Sequence, residues 1–176
     1  ETNTISVDYD GTPPKISTVA ITGTDENLSV GEKVIVTVTT NENIYLRDSS
    51  SGGLTSSDFV KVQIDLGSGE YRWAELDYTS VTWNSPVNSL SLEYTIQASD
   101  PASLTSGEIQ ITDDDIVIGG AISITDNAGN ALNPYLGGDS EFTGVSSTLT
   151  LDTVAPDVTD ETVTVSASGS LKHGDT

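Results

Sequence analysis

EKVIVTVTT, Glu32 to Thr40, is the stretch on which the fold turns. Val34, Val36 and Val38 fall on alternate positions, with Ile35 and Thr37 between them and Lys33 and Thr39 on either side. A period of two belongs to a strand with one face turned to a core; a helix would need apolar residues three and four apart. The same alternation recurs on both sides. Val19 with Ile21 precedes it, and Val60, Val62, Ile64 and Leu66 follow in FVKVQIDLG, where GSGE supplies a hairpin turn because glycine tolerates positive φ. Tyr71 and Trp73 lie on the return strand, and alternation makes several of the aromatic residues core residues. Leu90, Leu92, Tyr94 and Ile96 mark one face of LSLEYTIQ. Ile109 with Ile111, Ile116 with Ile118, Ile122 with Ile124 and Leu149 with Leu151 complete the series. Short strands separated by loops rich in Gly, Ser, Asn and Asp predict an all-β, immunoglobulin-like antiparallel β-sandwich with Greek-key order. RDSSSGGLTSSD, Arg47 to Asp58, reads as a mobile loop between sheets.

Composition narrows the function. A chain of 176 residues can bury a core without staples, and with no Cys it has neither disulfides nor thiolate metal sites. Asp and Glu number 27 against 6 Lys and Arg, a net charge of -21. Such a chain repels nucleic acid and anionic membrane surfaces. No run of apolar residues is long enough to insert in a bilayer, and no signal peptide is seen. Disorder is countered by a 35% hydrophobic content and its regular alternation. Met is absent even at position 1, which reads as a piece of something longer or as a processed N-terminus.

The chain also repeats itself. YDGTPPKI, Tyr9 to Ile16, matches LDTVAPDV, Leu151 to Val158: superposing Asp10 on Asp152 superposes Pro14 on Pro156 and Ile16 on Val158. Ile5, Val7 and Tyr9 alternate into the first motif as Leu149 and Leu151 do into the second. DETVTVSASGSLKHGD, from Asp160, echoes STVAITGTDENLSVGE, from Ser17. Residues 1–9 therefore read as the closing strand of a preceding repeat or an N-terminal linker, 10–154 as one complete repeat, and 155–176 as the opening segment of a following one. The alternative is a single sandwich whose two ends share turn chemistry.

Hard cations such as Ca²⁺ take oxygen ligands from carboxylates, amide carbonyls and backbone. In a sandwich of this kind the entering linker, with Asp8 and Asp10, meets the residues after the second strand, NEN with Glu42, and the last hairpin, ITDNAGN with Asp126, Asn127 and Asn130. The exit pole offers Asp25, Glu26, Asp100, Asp152 and Asp157. Two unit charges about 4 Å apart repel by roughly 1 kcal/mol in water and about 4 kcal/mol at an effective dielectric of 20, so gathered carboxylates call for a cation. An Asx turn, in which the side chain caps its own backbone, explains any single one of them equally well. Asp113 to Asp115 read as a solvated bulge. His173 is the only histidine, so no Ser-His-Asp triad or histidine metal site is available, and no enzyme is expected. Trp73 and Trp83, with Tyr71, Tyr78 and Tyr94, are candidates for a sugar platform.

The order VIVTVTTNENI, VQIDLGSGEYRWAELDY, LSLEYTIQASD, IGGAISITDNAGNAL, LDTVAPDV resembles the bacterial immunoglobulin-like repeats of large surface adhesins, including the RTX class. The likeness runs from about Asp10 to Pro156 and rests on D-x-AGN, Asp126 to Asn130, and D-T-x-A-P, Asp152 to Pro156. It implies a secreted or surface-anchored extracellular module, stiffened by Ca²⁺ against neighbouring repeats of the same chain. Such a module projects a terminal ligand-binding region toward a host cell, biofilm or surface, with Asp126 and Asp152 as family-type ligands. A monomer is expected. The linker Tyr9-Asp10-Gly11-Thr12-Pro13-Pro14 departs from the family pattern and leaves the shares of Asp8 and Asp10 open. Competing expectations are a module that itself binds carbohydrate or a cell-surface protein, and an accessory domain of a hydrolase.

Overall fold

A computed structural model of the chain describes residues 10–50, 55, 57–67, 69–101, 108–138 and 141–155. The expected flanking segments, 1–9 and nearly all of 155–176, lie outside these residues. Among the described residues the fold is entirely β, with eleven strands and no helix.

The valine stretch belongs to a strand longer than the alternation suggests. Lys33–Asp48 (β3) runs for 16 residues and pairs antiparallel with Ile16–Gly23 (β1) on one side and Pro86–Thr95 (β6) on the other. Its register slips between Thr39 and Ile44, at the NEN triplet. The Thr40 hydroxyl is buried there and donates to the Glu42 carbonyl at 2.6 Å and the Asn88 carbonyl at 3.1 Å. A bulge of this kind bends the strand and re-aims its side chains. NEN is thus not a loop after a strand but a kink within one. Beyond it β3 keeps pairing with the start of β6 and gains Ile122–Thr125 (β9) as its other neighbour.

Phe59–Asp65 (β4) and Tyr71–Leu76 (β5) form the hairpin read from GSGE, with Gly67 and Gly69 at positive φ. β5 pairs with β6, while β4 also receives Val117–Gly119 (β8) and Gln110–Ile111 (β7), which in turn pairs with Val145–Ser146 (β10). Because β8 and β9 are separated by one tight turn, the circuit β3, β6, β5, β4, β8, β9 curls nearly closed. The sheet wraps one core in a barrel-like way. A separate pair, Asn27–Ser29 (β2) with Thr150–Asp152 (β11), is parallel and seals one end with Leu28 against Leu151.

Val34, Val36, Val38, Ile44, Val60, Val62, Ile64 and Leu92 are fully buried. In β5 Ala74 and Leu76 point inward, while Tyr71 and Trp73 face solvent. Tyr78, Trp83 and Tyr94 do pack against the core. The Arg47–Asp58 stretch is also more ordered at its ends than its composition suggests. Arg47 and Asp48 belong to β3, and Asp58 is buried, its carboxylate accepting from the backbone N–H of Thr55, the Thr55 hydroxyl and the N–H of Ala121.

Candidate metal centre

Three stretches distant in sequence meet at the entering pole. Segment 10–15 is stitched to the β3 bulge by Asn41, whose Oδ1 accepts from the Lys15 N–H at 2.7 Å and whose own N–H donates to the Lys15 carbonyl at 2.9 Å. On its other side the N–H of Asn133 donates to the Pro14 carbonyl at 2.9 Å. The turn of DNAGN is closed by the Asp126 N–H donating to the Asn130 carbonyl at 3.0 Å, with Gly129 at φ +96°, a conformation glycine adopts without strain.

This convergence puts carboxylate oxygens of Asp10, Glu42 and Asp126 all within 4.8 Å of one another. It is the group of three potential metal ligands found among the described residues. Asn130 ties it together: its Nδ2 donates to Asp126 Oδ2 at 2.7 Å and to the Asp10 carbonyl at 3.0 Å, and its N–H donates to Asp126 Oδ1 at 2.8 Å. Asp10 Oδ1 accepts from the Thr12 N–H at 3.0 Å, an Asx turn that fixes its side chain.

The electrostatics divide the acids into two kinds. Asp126 is only 2% exposed, and burial alone would raise its pKa. The amide and N–H of Asn130 and the N–H groups of Gly129 and Ala128 outweigh burial and hold it below the usual carboxylate range. Glu42 is pushed up, first by burial and then by the negative charges of Asp10 and Asp126. One carboxylate is therefore locked in the ionised form while a second crowds against it. Oxygen-only donors of net negative charge suit a hard divalent cation, Ca²⁺ above all, since Ca²⁺ accepts irregular oxygen shells. Asp10, Glu42 and Asp126 would hold it, with Asn130 bracing two of them.

The remaining candidates are placed differently. Asn127 is exposed at the turn, and Asp8 lies outside the described residues. At the exit pole, Asp25 caps the N–H of Glu26 at 2.6 Å and Asp152 caps that of Val154 at 3.0 Å. Glu26 uses its carbonyl to receive the N–H of Thr150 at 2.9 Å. Asp100 is occupied by protein donors: Arg72 Nε at 2.8 Å, the Tyr94 hydroxyl at 2.8 and 3.0 Å, and the Gln97 N–H at 2.8 Å. The structure does not bring these four into a carboxylate group like that of the entering pole, and Asp157 lies outside the described residues. In the sequence Asn41 is legible only as part of the NEN triplet expected at this pole; that it anchors the entering segment through Lys15 depends on a pairing 26 residues away, which local pattern does not report.

Comparison with protein-family models, curated proteins and solved structures finds no match in any of the three.

Proposed function

We propose that this chain is a non-catalytic structural module of a bacterial surface adhesin, an extender whose joint with the preceding module is made rigid by Ca²⁺. The observation that carries the reading is the Asp10, Glu42, Asp126 cluster, because its ligands come from the entering segment and from two separate parts of the sandwich. A cation bound by such a set ties the incoming chain to the body of the domain. The resemblance to immunoglobulin-like adhesin repeats supports the same role. So does the exit pole, where Val30 and Val154 stand 48% and 63% exposed beside the last described residues, an apolar surface suited to a neighbouring module.

Extracellular modules bind Ca²⁺ with dissociation constants of about 10⁻⁴ to 10⁻³ M, so about 1 mM Ca²⁺ adds roughly 0.4 to 1.4 kcal/mol of stability by mass action. Melting curves in millimolar CaCl₂ and in EGTA test the reading. The expected result is a higher melting temperature in Ca²⁺ for the native chain, and none of that gain in Asp126→Asn or Glu42→Gln. Glu42→Gln should also melt no lower than the native chain in EGTA, because removing one of three crowded charges relieves their repulsion. Identical melting with and without Ca²⁺ in the native chain would discard the proposal.

A further inference from the structure

The outer face of the β4–β5 hairpin carries chemistry that neither the core nor the metal centre uses. Tyr71 and Trp73 are 50% and 36% exposed on the same face of β5, while Val62, Ile64 and Ala74 behind them are fully buried. Two residues apart on a strand, their Cα positions are separated by about 6.7 Å along the chain. The other tryptophan is committed elsewhere: Trp83 stacks on Tyr78 at 6.3 Å between ring centroids and packs against the core.

The platform is braced. Lys61 places its Nζ 4.2 Å from the centre of the Phe59 ring and 4.4 Å from that of Trp73, so the ammonium is held against two rings and helps to fix the indole. Phe59 covers Gly119 on β8, where any Cβ would collide with its ring. Gln63 is the direct cross-strand partner of Trp73, Asp65 of Tyr71 and Glu75 of Lys61. Asp65 Oδ1 receives the N–H groups of Gly67 and Gly69 at 2.9 and 3.1 Å, which anchors the hairpin tip next to Tyr71. Surfaces already ordered in this way lose little entropy on binding.

Charge selects the occupant. The molecule carries a net charge of -21, which repels polyanions. On this face Lys61 stands opposite Glu75 and Lys33 is paired with Glu93, the neighbour of Glu75 on β6, while Asp65, opposite Tyr71, adds a further negative charge, so nothing here offsets the repulsion of a polyanion. A surface with no excess of positive charge, two exposed rings, an amide that both donates and accepts, and a phenol complements an uncharged ring with apolar C–H faces and hydroxyl edges. We propose that Tyr71, Trp73 and Gln63 form a binding platform for a neutral polysaccharide, with Lys61 as a positioning residue. The proposal stands on the β4–β5 surface alone and does not depend on cation binding at the entering pole.

Native affinity electrophoresis of the full 176-residue chain tests it, through gels containing galactomannan, xyloglucan, hydroxyethylcellulose or alginate, each in Ca²⁺ and in EGTA. The expected result is retardation by at least one of the three neutral polymers, weakened about tenfold or more in Trp73→Ala and in Tyr71→Ser and unchanged in Ser123→Ala, an exposed position on β9. Far-ultraviolet circular dichroism of each variant establishes that the fold is kept, and Tyr71→Ser carries the test if Trp73→Ala does not fold. Retardation by alginate alone, none by any neutral polymer, or retardation that survives in both aromatic variants would overturn it. So would sedimentation showing a dimer that both aromatic variants abolish, in the absence of retardation.

Discussion

Asp100 and Asp126 carry the same side chain in similar burial, 5% and 2% exposed, yet their partners give them different work. Asp126 is surrounded by amide donors and carboxylates; Asp100 by a guanidinium and a phenol. Breaking a buried pair by removing its cation leaves an uncompensated charge. Arg72→Met should therefore cost about 3 kcal/mol in denaturant unfolding, the low end for such pairs because the Arg72 side chain is 25% exposed. Tyr94 extends the same network, its pKa pushed up to about 12, first by burial and then by its hydrogen bond to Asp100. Tyr78, half-buried and accepting the N–H of Val60 at its hydroxyl, shifts in the same direction, driven by burial. A folded pKa above the unfolded value of about 10 favours the neutral phenol, so this stability is complete below pH 10 and is lost as the pH rises toward 12. Melting temperatures measured across that range should fall steeply in the native chain and less steeply in Tyr94→Phe, which starts lower at neutral pH. None of this network was legible in the sequence, where Asp100 stood among candidate metal ligands. Arg72 and Tyr94 are 22 residues apart on neighbouring strands, and only their pairing reveals that one acid serves both.

The strands themselves were largely legible, because period-two burial writes itself into composition: Val34, Val36 and Val38, and Val60, Val62 and Ile64, are buried in the expected phase. Three things were not. The β3 bulge has no local signature beyond a polar triplet. The phase of β5 could not be taken from Tyr71 and Trp73, since small Ala74 fills the inward position against β4. The parallel pairing of β2 with β11 joins segments more than a hundred residues apart, which alternation cannot report. Loop anchoring is equally non-local, and Gly120 shows it. This residue has φ +75°, and an added Cβ would meet Asp58 Oδ1 and, at 2.6 Å, the Ser57 carbonyl. Gly120→Ala thus imposes both a left-handed conformation and a collision on the link between the 49–58 connection and the β8–β9 turn. Its expected cost is about 2 kcal/mol or more in urea unfolding, against about 1 kcal/mol for Gly69→Ser, which bears the same left-handed strain at φ +75° but where an added Cβ meets nothing within 4 Å.

At the scale of the whole molecule, net charge and the entering-pole cluster make separable contributions. The entire chain repels itself with a net charge of -21, and that repulsion is spread over distances that salt screens: the Debye length falls from about 30 Å at 0.01 M to about 10 Å at 0.1 M. The three carboxylates of the metal centre lie within 4.8 Å, too close for salt to screen fully. In EGTA, raising NaCl from about 0.01 to 0.1 M should raise the melting temperature of the native chain and of Glu42→Gln by similar amounts, because one charge in 27 acids changes the general field little. At constant ionic strength, replacing part of the NaCl by CaCl₂ should give a further rise in the native chain and none in Glu42→Gln. MgCl₂ should give less than CaCl₂, since Mg²⁺ demands near-octahedral geometry and sheds water reluctantly. Equal responses to the two divalent salts, shared by the variant, would assign the effect to general screening and remove the cluster from the account of rigidity. A rise confined to Ca²⁺ and to the native chain locates it where the entering segment, the β3 bulge and the DNAGN turn meet.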